Sequence, residues 1–188
     1  MKKMAPDSIL DVRDLTVKFF LDEGTVHAVN GVSFSVPAGR SVGIVGESGC
    51  GKTVSAYSIT RLLPKTARVS GEILFRERGG EITNITELEP DGGDMRRIRG
   101  KEISMIFQEP MSSLSPVHKI SNQLSEAIIQ FQGLTKRQAR ARVIELLQLV
   151  GIPQAERRVD DYPFQLSGGM RQRAMIAMAL ARNPRVLI

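Results

Sequence analysis

The chain has 188 residues, 41% apolar and 24% charged, which suits a folded domain with a sizeable core and excludes a low-complexity chain. No stretch approaches the roughly 20 apolar residues of a membrane span, and Met1-Lys2-Lys3 is followed by strand-like alternation rather than the apolar block of a secretory signal. A net charge of +6 admits nucleic acid, an anionic membrane surface or an anionic ligand, while the single cysteine, Cys50, excludes an internal disulfide.

In chain order, Ile9 to Val36 alternates as two half-buried strands. Leu10, Val12, Leu15, Val17 and Phe19 carry the first, Val26, Ala28, Val32, Phe34 and Val36 the second, and Asp22-Glu23-Gly24 supplies the turn. Val42-Gly43-Ile44-Val45 is too short for a helix and reads as a buried strand. A helix is predicted over 52–63, ended by Pro64. Ser70 to Phe75 reads as a strand, Arg76 to Asp94 as a surface loop or extended hairpin, and Met95 to Arg99 as a short basic helix.

Ile103 to Phe107 returns to strand character, and helical patterning starts at Ser121. Thr135-Lys136-Arg137-Gln138 has capping-box form and opens a helix with Val143, Leu146, Leu147 and Val150 on one face, ended by Gly151. A further helix begins at Ser167, carries Ala174, Ala177, Met178 and Ala181 inward and stops at Asn183-Pro184; Arg185 to Ile188 opens another strand. The elements predict a mixed α/β core with an N-terminal β-rich lobe and a helical insert over about 117–165.

Two glycine-rich runs carry chemistry. Gly46-Glu47-Ser48-Gly49-Cys50-Gly51-Lys52-Thr53 stands between the apolar strand and the first helix, the context in which this spacing cradles phosphates. Glycines let several N–H groups converge, the helix start adds partial positive charge, Lys52 reaches the β- and γ-phosphates, and the Thr53 hydroxyl ligates magnesium. Leu166-Ser167-Gly168-Gly169-Met170-Arg171-Gln172-Arg173 places a serine and two glycines at another helix start, again an anion site. Taken alone, Ser-Gly-Gly is also a common loop.

Together the two runs resemble the phosphate loop and signature motif of ABC ATPases. Phe107-Gln108-Glu109-Pro110 resembles that family's Q-loop, and the sequence from Gly43 to Gly49, from Ile98 to Met111 and over Ser113-Leu114-Ser115-Pro116 resembles the oligopeptide, dipeptide and nickel importer subgroup. Ser115, where the subgroup commonly has Asn, and the long acidic loop from Arg76 to Asp94 depart from it. The resemblance implies a P-loop NTPase (RecA-like) core with an antiparallel β lobe and a helical insert, divided as 1–116, 117–165 and 166–188, the core sheet incomplete at its C-terminal end.

It also implies ATP and magnesium as ligands. Gly46, Glu47, Ser48, Gly49, Cys50, Gly51, Lys52, Thr53 and Gln108 would bind nucleotide, Thr53 and Gln108 would hold magnesium, and Phe19 (or Phe20) would stack on adenine. Leu166, Ser167, Gly168, Gly169 and Met170 would meet the ATP of a second ABC subunit, a paralogue being favoured. Two permease subunits and an external solute-binding protein complete the expected assembly at the cytoplasmic face of the membrane. The magnesium Asp and the water-activating Glu of the family follow the strand that Arg185 opens, so that residues 1–188 are expected to contain no catalytic residue and not to hydrolyse ATP alone.

The competing readings are a non-transport ABC ATPase acting on nucleic acid or ribosomes, and a hydrolysis-dead regulatory fragment. Against nucleic acid, Arg137, Arg140 and Arg142 share a helix with no aromatic residues interleaved for base stacking. His27 and His118 are read as surface or satisfied polar residues, and Cys50 as a thiol made reactive by the helix start beside it.

Overall fold

The computed structural model describes residues 4–108 and 113–188, which form two compact units, Met1–Arg97 and Ile98–Ile188. In the first unit, β1 (Ser8–Leu21), β2 (Gly24–Pro37), β3 (Ala67–Arg76) and β4 (Ile82–Asn84) make an antiparallel sheet in the order β2-β1-β3-β4. The hairpin closes where expected, with Leu21 opposite Gly24. Leu10, Val12, Leu15 and Val17 are all buried on the central strand β1, and each such side chain contributes about 1.5–3 kcal/mol by leaving water.

The alternation of β2 is shifted from expectation. Val29 is its one buried hydrophobic residue, whereas Val26 is 50% and Val32 is 39% exposed. Bulges between Val12 and Leu15 and again before Val17 break the register. Asp14 sits there with φ 49°, its N–H donating to the Ser33 hydroxyl. A bulge adds a residue to one strand and so exchanges its faces. Gly71 of β3 crosses at this point with φ 92°, where a Cβ would lie 2.5 Å from the Asp14 carbonyl oxygen; only glycine fits.

Val42-Gly43-Ile44-Val45 is a correction. The segment forms no strand and joins no ladder, and Val42, Ile44 and Val45 are 44%, 46% and 92% exposed. A short apolar run becomes a buried strand only where flanking strands take its backbone groups, and no strand among the described residues lies along it.

The helix after the phosphate loop, α1 (Lys52–Ile59), ends four residues before the expected Leu63. Arg61 adopts the left-handed conformation (φ 53°), with the Leu62 N–H donating to the Tyr57 carbonyl at 3.0 Å and the Arg61 N–H to Ser58 at 3.2 Å. This pair of bonds is a Schellman closure, built on arginine instead of the usual glycine. The 76–94 segment contains the β3–β4 hairpin and a 3₁₀ turn over Ile85–Glu87 before α2 (Gly93–Lys101). Glu77 pins the hairpin to α2 by accepting from Thr83 Oγ1 at 2.7 Å and from both terminal nitrogens of Arg97.

In the second unit a parallel pair, β5 (Ile103–Ser104) and β6 (Val186–Leu187), is extended by the Ile106 N–H donating to Ile188. The expected strand over Ile103–Phe107 is therefore paired as far as Ile106. Between them lie α3 (Ile120–Gln132), α4 (Lys136–Leu149), the short α5 (Ala155–Arg158) and α6 (Gly168–Leu180). Ile120, Leu124 and Ile128 pack with Val143, Leu147 and Ala177 in one core, the spacing of apolar stripes on facing helices. The capping box of α4 forms as expected: Thr135 Oγ1 accepts from the Gln138 N–H, and Gln138 Oε1 accepts from the Thr135 N–H at 3.0 Å.

Candidate functional site

In the first unit Gly46 to Cys50 is fully on the surface and leads into α1 through Gly51. Gly51 is the helix N-cap with φ 92°, and a Cβ there would stand 2.4 Å from the Ala28 carbonyl oxygen of β2. The loop is thus seated on the sheet in a posture open only to glycine. No side chain caps α1 and its first turn holds no acidic residue, so its leading N–H groups face solvent with the positive end of the helix dipole behind them.

Lys52 folds back over this loop. Its Nζ donates to the Gly46 carbonyl at 2.8 Å and the Glu47 carbonyl at 2.6 Å, and lies 3.5 Å from Cys50 Sγ. The ammonium is held among the loop's own backbone groups, with the exposed Thr53 next on the helix. A tethered cation beside an uncapped helix start is a donor set that suits an anion.

Phe19 lies opposite Val26 of β2 and Ala67 of β3, two residues along β1 from Val17, which pairs with Val29 beside the Gly51 contact. It is half-buried, whereas Phe20 is 52% exposed. Cys50 is a free, exposed thiol.

In the second unit Gln108 is exposed at the end of the β5 path, while Glu109, Pro110 and Met111 lie outside the described residues. Leu166 is buried and anchors the other glycine-rich run; Ser167 is the N-cap of α6, its hydroxyl accepting from the Met170 N–H at 3.3 Å. Gly168 and Gly169 are exposed, have no positive φ, and would meet nothing within 4 Å if given a Cβ. Glycine costs about 1 kcal/mol in a helix. Neither dihedral nor packing in this chain demands it here, and both positions stand open at the surface.

Sequence reasoning did not foresee how the loop before α3 is held. The Gln123 side chain accepts from the Ser115 N–H at 2.8 Å and donates to the carbonyls of Ser115 at 3.0 Å and His118 at 2.7 Å, while Ser115 Oγ and His118 Nδ1 are 2.9 Å apart. His118 is thus a satisfied polar residue. These groups, with Asn122, Glu126 and Arg182, line a polar groove of about 390 Å³. Burial holds the Arg182 guanidinium below its ordinary pKa, opposed by Glu126; it lies over the Phe131 ring at 5.2 Å. On α4, Arg140 pairs with Asp160 and Arg142 with Glu145, both at the surface.

Residues 29–188 match the family described as ABC transporter, and the chain belongs to that family. Its fold is that of ABC ATPase cassettes: it superposes on the dimeric structure of MJ0796, a bacterial ABC transporter cassette, with a TM-score of 0.79 at 27% identity, covering 95% of this chain and 72% of that one. A post-hydrolysis form of the same cassette bound to ADP and Pi matches with a TM-score of 0.80. Among curated relatives, a probable peptide ABC transporter ATP-binding protein of Sinorhizobium fredii is 50% identical over 97% of this chain and 53% of its own length. The oligopeptide transport ATP-binding protein OppD of Bacillus subtilis is 45% identical over 96% and 49%. The chain spans about half the length of these relatives.

Proposed function

We propose that the chain is the nucleotide-binding part of an ATPase subunit that drives uptake of peptides or related solutes. The observation that carries this reading is the phosphate loop, with Lys52 tethered to the Gly46 and Glu47 carbonyls beside the uncapped start of α1. ATP binds there through the backbone from Gly46 to Thr53. Thr53 and Gln108 hold magnesium, which when bound neutralises phosphate charge, and Phe19 stacks on adenine. Nucleotide titration tests it: Lys52→Ala should weaken ATP binding at least tenfold, and unchanged binding would overturn the reading.

A second subunit completes the nucleotide site. The support is the exposed Ser167-Gly168-Gly169 corner, whose glycines nothing inside the chain requires; the partner's γ-phosphate takes that space, and a paralogue is the favoured partner. Names of relatives that specify peptide, oligopeptide and dipeptide transport support the cargo class and, with it, two permease subunits, an external solute-binding protein and a station at the cytoplasmic face of the membrane. A cytoplasmic helix of the permease docks near Gln108 and the segment from Met111 to Ser125. Residues 1–188 on their own are expected to bind ATP and turn it over negligibly.

A further inference from the structure

We propose that Phe164 is a stacking surface for the purine ring of ATP held by the partner subunit, a role that rests on the two-subunit reading above. Phe164 is 69% exposed. One face of its ring is covered by Tyr162, with centroids 5.5 Å apart and planes inclined by 13°. A parallel pair of this kind leaves the outer face to a third flat group. Leu149 is as exposed, at 72%, but it is a single aliphatic side chain of the sort that surfaces commonly carry.

The backbone that carries the ring is held in place. Pro163 is buried at the start of a 3₁₀ turn over Pro163–Gln165. The Gln165 N–H donates to the Tyr162 carbonyl at 2.9 Å, the Tyr162 N–H to Gln165 Oε1 at 2.8 Å, and the Leu166 N–H to the Pro163 carbonyl at 3.2 Å. An aromatic fixed in this way loses little entropy on contact. It stands three residues before Ser167, at most about 10 Å of chain, so that one nucleotide can reach both the signature corner and the ring. The acidic residues just upstream do not oppose an anion as bare charges: Asp160 is paired with Arg140 at 2.6 Å and Asp161 with Arg158 at 2.8 Å. A flat neutral ring beside an anion-receptive helix start fits a nucleoside triphosphate better than it fits a peptide or a lipid.

The test is nucleotide-driven association of the purified protein, with itself and with a paralogous subunit, wild type against Phe164→Ala and Phe164→Trp, with magnesium and either ATP or CTP. Phe164→Ala should weaken ATP-driven association roughly ten- to hundredfold, the scale of one base–aromatic stack, and erase the preference for ATP over CTP. Phe164→Trp should keep both, and ATP binding to the dilute single subunit should be unchanged in all three. Equal weakening with ATP and CTP would make Phe164 a protein–protein contact and overturn the proposal, as would full association by Phe164→Ala. Wild type that binds ATP yet associates neither with itself nor with a paralogous subunit would refute the paired-subunit reading and this proposal with it. Wild type that fails to bind ATP would refute the phosphate-loop reading instead.

Discussion

Glu77 illustrates how one side chain sets a pH limit. It is almost wholly buried, and the hydrogen bond from Arg97, seconded by Thr83, holds its carboxyl below the ordinary glutamate value against the opposing effect of burial. A depressed pKa means that the folded state binds the proton less readily than the unfolded chain. The stabilisation is therefore complete above the unfolded glutamate value of about 4.3 and is lost as pH falls through the lower, folded value. Glu77→Gln should cost about 2 kcal/mol at neutral pH and flatten this acid limb, as read by urea denaturation across pH. A mutant with an unaltered acid limb would show that Glu77 is not its source.

Cys50 gives a second test at the same scale. Its thiol is exposed and lies 3.5 Å from the Lys52 ammonium. Maleimide should label it, and ATP should slow the labelling; equal rates with and without ATP would count against a nucleotide lying across this loop.

At the scale of elements, two helices begin with the same device and different purposes. Thr135 caps α4 and Ser167 caps α6. Replacing either with alanine should cost about 1 kcal/mol of stability. Only Ser167→Ala should also abolish ATP-driven association, measured by light scattering, because only that hydroxyl is assigned a ligand beyond its own helix. If Thr135→Ala abolished association equally, the assignment would fall.

Elements whose signals are local were legible in the sequence. The Thr135 box needs only residues three apart, and the glycine-lysine spacing of the phosphate loop is set by backbone geometry alone. Features that depend on a partner strand or a distant side chain were not. The phase of β2 turns on the bulge at Asp14, and nothing in an Ala-Tyr-Ser-Ile-Thr-Arg run announces that Arg61 rather than a glycine will close α1. The Gln123 clasp spans a loop and a helix, and so carries no periodic mark.

For the whole molecule, the exposed run from Val42 to Val45 bears on behaviour in solution. Val45 is 92% exposed beside the half-exposed Ile44 and Val42, an apolar edge of the kind that recruits other strands. The 188-residue chain should therefore bind a hydrophobic dye and aggregate with rising concentration. Val45→Lys should reduce both while changing the unfolding free energy by no more than about 0.5 kcal/mol, with dye binding and static scattering as the measurements. Unchanged aggregation would place the sticky surface elsewhere.

The pairing of β5 with β6 joins Ile103 to Val186 across the whole run of helices between them. A ribosome delivers Ile103 long before its neighbour, so β5 must wait unpaired while α3 to α6 emerge and pack. Since the Ile106 N–H is tied to Ile188, the path to Gln108 is among the last parts of this unit to be fixed. A newborn chain would thus hold its glycine-rich loop and α1 before the backbone leading to Gln108 had settled into the second unit.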